Sequence, residues 1–381
     1  MPFGRARRVA GALALAVLAA LLSGPIAGCG AALPRTADRV LTIGFVFIAD
    51  DHDLGYSQAI WEGSEALART LPDTRILRVA HVPETGSAAE DAMEGLIRRG
   101  ARVIFATSYG YLAAAERVAR RHPDVIVLHQ GGVAQGPALR NFGTYWGTME
   151  EPVYLAGIIA GAATRTGILG FVAAFPIPAV FNNINAFLLG ARTMRPHAVV
   201  HVDFTGSWCD PSAQLRAAED LIARHADVLT QHQDCTRTVL ETAERAHVDS
   251  VGYHEDGSMV AKHGYLVGSV WSWSGLLVDI VRTIRRGDFA GSKYNRDFRG
   301  GLATGDNPFV LSEMSALVTP ATRAAVVRAE ARMRHGWTPF TGPLVDQHGR
   351  VRVPAGQPMT RAEIDRMNFL LDGVIGSVPA S

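Results

Sequence analysis

LTIGFVFIADDHDLGYSQAIWEGSEALART, residues 41–70, holds the architecture of the whole chain in miniature. The apolar, β-branched run from Leu41 to Ala49 reads as a strand. A polar loop follows, and then Ile60, Gly63 and Leu67 recur three and four apart, marking one face of a helix from Ser57 to Thr70. A strand that feeds a helix through a short loop is half of a parallel βαβ unit. Working outward, the same alternation continues through RVIFAT, DVIVLH, GILGFVAA, AVVHVDF, ADVLTQ, DSVGY and YLVGSV, with amphipathic segments between them. One of these, Ser87 to Arg99, groups Met93, Leu96 and Ile97 and stops at Gly100, a helix C-terminus signal. Alternation of this kind predicts an α/β protein with parallel sheets covered on both faces.

Eight such strands could close one barrel or split into two open sheets. The turn-rich stretch Asn141 to Glu151 (NFGTYWGTMEE) reads as a crossing between two lobes, and 381 residues suit two cores better than one. After Val270 the helix SGLLVDIVRTIRRG ends at Gly287, and FRGGLATGDNP offers a second passage. A hairpin around Asp346 to Gly349 and a short helix from Thr360 complete the chain. No repeat at solenoid spacing is visible.

Arg5, Arg7 and Arg8 precede an apolar run from Val9 to Leu22, closed by Gly24 and Pro25. This is a signal peptide, since the run is shorter than the ~18 residues of a membrane span. Ile26, Ala27, Gly28 and Cys29 resemble a bacterial lipobox, with Cys29 as the lipid anchor. Loss of the three leader arginines leaves 34 basic against 36 acidic residues, which argues against nucleic acid as a partner. Cys209 and Cys235 remain, each just after an expected strand; in an exported chain they could bridge if those strands are neighbours, a distance that sequence does not supply.

In an open parallel sheet the ligand binds beyond the carboxyl ends of the strands. Here the segments after successive strands are DDHDLGYSQ, SYGY, FPIP, SWCDP, HQDC, HEDG and WSWS, unusually rich in aromatic and acidic residues. Tyr56, Tyr109, Phe175, Trp208 and Trp273 are therefore expected to converge on one cleft and clamp a planar ring, while Asp53, Asp234 and Asp256 accept hydrogen bonds from it. For any one of these aromatics, packing between lobes explains it equally well; the recurrence at strand ends carries the reading. Asp50, Asp51, His52 and Asp53 resemble a metal cluster but lack the alternating ligands, glycine and distal glutamate of a calcium loop, so a solvated loop is the better reading and no metal is expected. No HExxH, paired CxxC or P-loop occurs. Gly55 to Ala59 approximates a nucleophile elbow around Ser57, a hydrolase reading, but Ser57 serves better as a helix N-cap.

The strings IGFVF with DLGYSQA, FATSYGY, AAFPIPAVFNNINAFLLGA, GSWCDP and PFTGPLVDQHGRVRVPAG resemble those of the basic membrane protein family of ABC-importer substrate-binding lipoproteins, from about Leu41 to the end of the chain. The resemblance implies a type I periplasmic-binding-protein fold: two Rossmann-like lobes joined by three crossings, closing on ligand about a hinge. It divides the chain into a signal peptide (1–28), a lipid-anchor linker (29–40), an N-terminal lobe (41–145 and 275–305) and a C-terminal lobe (146–274 and 306–381). Relatives bind purine nucleosides, purine bases or, less often, riboflavin. The resemblance implies that Tyr56 and Trp208 stack on the base and that Asp234 and Asp256 make polar contacts; with the strand-end residues, Asp53, Tyr56, Gln58, Ser108, Tyr109, Phe175, Asn183, Trp208, Asp234, His254, Asp256 and Trp273 are the expected ligand-binding residues. It also implies a monomer without cofactor or catalytic residue, anchored by lipid to a membrane and partnered by a small molecule and an ABC permease; a ligand sensor on the same fold is the alternative. Two departures favour a free base. No ribose-reading lysine follows SVWSWS, and Leu112, Ala113 and Ala114 stand where relatives carry an acid. His254 replaces a common acid, which inverts the hydrogen-bond polarity there.

Overall fold

The computed structural model describes residues 40–379, so the leader, the lipobox and Cys29 lie outside the described residues. The chain begins with β1 (Leu41–Val46), α1 (Tyr56–Thr70), β2 (Thr74–Val79), α2 (Ala88–Arg98), β3 (Val103–Ala106), α3 (Leu112–Arg121), β4 (Ile126–Gln130) and β5 (Phe142–Gly147). It continues with α4 (Glu150–Ala163), β6 (Ile168–Ala173), α5 (Pro178–Met194), β7 (Val199–Phe204), α6 (Pro211–Ala223), β8 (Val228–His232), α7 (Arg237–Arg245), β9 (Asp249–His254) and β10 (Tyr265–Trp271). Then come α8 (Trp273–Arg285), β11 (Asp297–Gly300), β12 (Phe309–Leu311), α9 (Pro320–Arg334), β13 (Leu344–Val345), β14 (Val351–Val353), α10 (Arg361–Ile364) and β15 (Val374–Ile375).

Two open sheets result. The first runs β11-β5-β4-β3-β1-β2 and is parallel throughout; the second runs β12-β10-β9-β8-β6-β7-β15, with only β12 antiparallel. The central strands β3, β4 and β8 are buried along their full length, as expected where helices cover both faces. Helices α2 and α3 share a core with Val46, Ile104 and Val127, whereas α1 packs on α8. In the second layer α6 and α7 close over Val172 and Leu229, and α4 lies along α5.

The chain passes between the sheets three times: from β5 into α4, from β10 into α8, and from β11 to β12. The first passage is shorter than the turn-rich stretch suggested, because residues 142–147 are strand. Gly143 is there for close approach: a Cβ would lie 1.9 Å from the carbonyl oxygen of Tyr294. Strand β2 (TRILRV) also escaped the sequence reading; it is a half-exposed edge strand that carries Arg75 and Arg78. The C-terminal hairpin forms as β13 and β14, and Thr360 opens α10 with a reciprocal capping box to Glu363. No helix among the described residues is long and apolar enough to cross a membrane.

This strand order positions the site. Strand β1 connects to β2 on one side while its neighbour β3 connects to β4 on the other, and β6 and β8 part in the same way towards β7 and β9, so a crevice opens at the carboxyl ends between β1 and β3 and between β6 and β8.

Candidate ligand-binding cleft

A cavity of about 540 Å³ lies between the carboxyl ends of the two sheets. The first lobe contributes Tyr56, Ser108, Tyr109, Gln130 and Trp146, and the second Ile177, Asn182, Trp208, His232, Asp234 and His254. Glu150, Arg299, Arg361 and Asp365 line one end. The aromatic walls hold each other in place. Trp146 contacts Trp271 with ring centres 4.6 Å apart, Trp271 stacks on Trp273 at 4.3 Å, and Phe175 meets Trp208 edge-on at 5.1 Å.

Polar atoms face the cavity without partners. The indole N–H of Trp271 donates to His254 Nδ1 at 2.8 Å. That fixes the neutral imidazole proton on Nε2, which is buried and makes no hydrogen bond. Gln130 Oε1 accepts from the Tyr145 hydroxyl at 3.0 Å, leaving its buried Nε2 free, and Asn182 Oδ1 is likewise buried and unpaired. Unmet donors and acceptors cost free energy unless a ligand or water satisfies them. His254 thus offers a donor where an acid would accept.

Of the twelve residues nominated from sequence, Tyr56, Ser108, Tyr109, Trp208, Asp234 and His254 line the cavity. The others lie behind or beside it. The Asp53 carboxylate accepts the backbone N–H groups of Gly55, Ser57 and Gln58, and so caps α1. Ser57 is therefore not the cap. Its buried hydroxyl accepts the Ala49 N–H at 3.2 Å and does not line the cavity, so the geometry offers no exposed nucleophile there. Gln58 binds Leu54 N and Glu62, and Phe175 backs Trp208. Asn183 donates to His232 and to the Tyr253 hydroxyl, which makes its neighbour Asn182, not Asn183, the cavity amide. Asp256 is exposed and accepts from Ser258 N, while Trp273 is fully buried beneath Trp271.

Gln130, Trp146, Asn182, His232 and Arg299 were missed. Gln130 ends β4 and His232 ends β8, so the strand-end rule reaches both. Trp146 was hidden with its unread strand.

Cys209 and Cys235 form a disulfide with Cα atoms 5.2 Å apart. Their strands β7 and β8 are not neighbours; the bridge spans the end of β6 between them. On the same side the lobes touch. Tyr56 N–H donates to the Asp234 carbonyl at 3.0 Å and Thr236 N–H to the Asp53 carbonyl at 3.3 Å, while the Thr236 hydroxyl donates to the Leu54 carbonyl. These bonds describe a closed cleft.

Burial disfavours charge where the rings gather. Burial pulls His232 down to about 3 and holds His254 well below its usual range, helped by His232 nearby. Burial, then the charges of Asp53 and Glu84, push Asp234 well up. These shifts set a pH profile for stability. His129, His201, His232 and His254 are all lowered by burial. Below about pH 6.5 the unfolded chain protonates them and the native state does not, so stability falls in acid. Asp53, Glu151 and Glu255 are raised by burial to about 6, 7 and 8. Their native forms keep protons that the unfolded chain has lost, so stability also falls as pH rises from about 4 towards 8. The melting temperature is expected to peak near pH 6 to 7, roughly where the limbs cross, and Glu255→Gln to flatten the alkaline limb. A melting temperature still climbing at pH 8 would contradict this assignment.

The model of a family described as ABC transporter substrate-binding protein PnrA-like matches residues 40–305. A protein of Brucella abortus named as purine-binding is 29% identical over 348 residues, covering 90% of this chain and 95% of its own. A protein of Haloferax volcanii, named for an ABC transporter and glucose binding, is 32% identical over 261 residues, covering 68% and 64% respectively. Among solved structures, an ABC transporter solute-binding protein from Conexibacter woesei superposes with a TM-score of 0.64 at 18% identity, over 78% of this chain and 97% of its own. Two parallel α/β lobes, three crossings, a cleft at the switch points and the family match agree: this chain belongs to the PnrA-like family of ABC transporter substrate-binding proteins, extracytoplasmic receptors of the periplasmic-binding-protein fold.

Proposed function

We propose that the cleft captures a purine base, in preference to a nucleoside, and hands it to an ABC permease, with the chain held at the membrane by a lipid on Cys29. The carrying observation is the ring-walled cavity in which His254 Nε2, Gln130 Nε2 and Asn182 Oδ1 are buried without partners. A flat heterocycle presents in-plane donors and acceptors to such atoms while its faces stack on Tyr56, Trp146 or Trp208. Burial disfavours charge on His232, His254 and Asp234, which suits an uncharged ring edge. The purine-binding name of the Brucella relative supports the same class. Binding without turnover is expected, since Ser57 is sequestered from the cavity.

The test is a thermal-shift screen of ligand-stripped protein with adenine, guanine, hypoxanthine, xanthine, their nucleosides, riboflavin and glucose. A ligand at ~100 times its dissociation constant adds about 2.7 kcal/mol and raises the melting temperature by degrees. Bases are expected to shift it more than nucleosides do. Trp208→Ala is expected to weaken binding about tenfold, the loss of one stacked ring. A shift with glucose alone would replace the purine reading.

A further inference from the structure

We infer that the ligand carries an acidic group, a carboxylate or phosphate, on its planar ring system, read by Arg299; this rests on the ring-stacking reading of the same cleft. Size is the first argument. A purine has about ten non-hydrogen atoms, and even at ~30 Å³ each, the volume share of a water molecule, it fills only about 300 Å³. The cavity holds about 540 Å³ and its lining includes Arg299, so a bare purine leaves room for a further group.

Charge is the second. Arg299 has only 23% of its side chain exposed, yet among the described residues its guanidinium makes no hydrogen bond. Its one ion-pair partner, Asp365, is 3.7 Å away and is engaged more closely by Arg361, at 2.9 Å. Glu150 is also taken by Arg361. Arg361 thus engages one oxygen of each carboxylate at this end, and the planar fork of Arg299 makes no hydrogen bond among the described residues. A guanidinium so placed is matched by a carboxylate or phosphate, which accepts two parallel N–H bonds. Burial outweighs the nearby acids and lowers the affinity of Arg299 for its proton, as expected of an under-compensated cation. Arg366, exposed at the rim and in no ion pair among the described residues, adds positive charge at the mouth.

Position is the third. Arg299 on β11 pairs in register with Trp146 on β5. Neighbouring strands lie ~4.8 Å apart and in-register side chains share a face, so one small molecule reaches both the ring wall and the guanidinium.

The test is calorimetric titration with matched pairs differing by one acidic group: purine with purine-6-carboxylate, and inosine with inosine monophosphate. The acidic member of at least one pair is expected to bind at least tenfold more tightly. Arg299→Gln should reduce that ratio to near unity while leaving the neutral member within about threefold, and Arg299→Lys should fall between. Equal binding within both pairs in the wild type overturns the proposal without needing any variant, as does a uniform loss in Arg299→Gln. The two readings fail separately. If Trp208→Ala changes no affinity, the ring reading falls; if neutral rings bind and acids gain nothing, only the acidic group falls. Binding by none of the four overturns both.

Discussion

Gly55→Ala is expected to weaken ligand binding by about ten- to a hundredfold while leaving the unliganded protein folded. A Cβ on residue 55 would stand 1.7 Å from the carbonyl oxygen of Asp234 and 2.9 Å from its carbonyl carbon. Both are backbone atoms, so no side-chain rotation relieves the clash. The carbonyl it would strike is the one that accepts the Tyr56 N–H across the cleft. The loop after β1 and the loop after β8 therefore meet only because residue 55 has no side chain, and their meeting encloses the cavity. In an open conformation the two loops separate and the extra methyl costs little. Overpacking of this kind costs about 1–3 kcal/mol, charged here to the closed state alone. Ligand that binds the closed state loses that much affinity, about one to two decades. Titration of the variant with the best base from the screen measures the loss. Small-angle scattering supplies the structural counterpart: wild-type protein contracts on binding, and the variant contracts less at equal saturation. Wild-type affinity in Gly55→Ala would mean that this contact is not part of the bound state.

How far the sequence led depends on how local each signal is. The strand and helix of residues 41–70 are legible because burial on one or both faces imposes a short period on adjacent residues. Strand β5 is not, since Gly143 and Gly147 look like turn formers when their partners, Tyr294 and Asn307, lie some 150 positions away. The site divides the same way. Tyr56, Trp208, Asp234 and His254 follow recognisable strands, and the topology of parallel sheets sends such residues to the cleft. Asp53 and Trp273 follow strands too, but their side chains turn to cap α1 and to pack beneath Trp271, choices made by contacts that a strand-end rule does not see. Arg299 and Arg361 give no local sign at all. Arg299 acquires its meaning from Asp365 and Arg361 from Glu150, partners that only the tertiary fold brings to them.

Removing the disulfide, by Cys209→Ala with Cys235→Ala, is expected to lower both stability and affinity, and the ratio of the two losses reveals what the bridge does. Cross-linking residues separated by 26 positions restricts the unfolded chain by about 3.5 kcal/mol on the chain-entropy account. In a protein of this size that amounts to a fall of roughly 5 °C in melting temperature. The effect on binding has a separate origin. Trp208 and Asp234, which line the cavity from opposite loops, are the immediate chain neighbours of Cys209 and Cys235. Besides the bridge, the loops are joined by a backbone bond from Asp234 N–H to the Trp208 carbonyl at 2.7 Å and by a side-chain bond from Gln233 Nε2 to Thr205 Oγ1 at 3.0 Å. Without the bridge these loops gain freedom that binding must then remove, about 1–2 kcal/mol per residue ordered, enough for a tenfold loss of affinity. Cys209 is exposed, so reductant added to the wild-type protein should reproduce the phenotype of the double variant. Lower melting temperature with unchanged affinity would make the bridge a staple for the second lobe only. Loss of both, measured well below the melting transition, identifies a covalent brace that holds Trp208 and Asp234 ready before the ligand arrives.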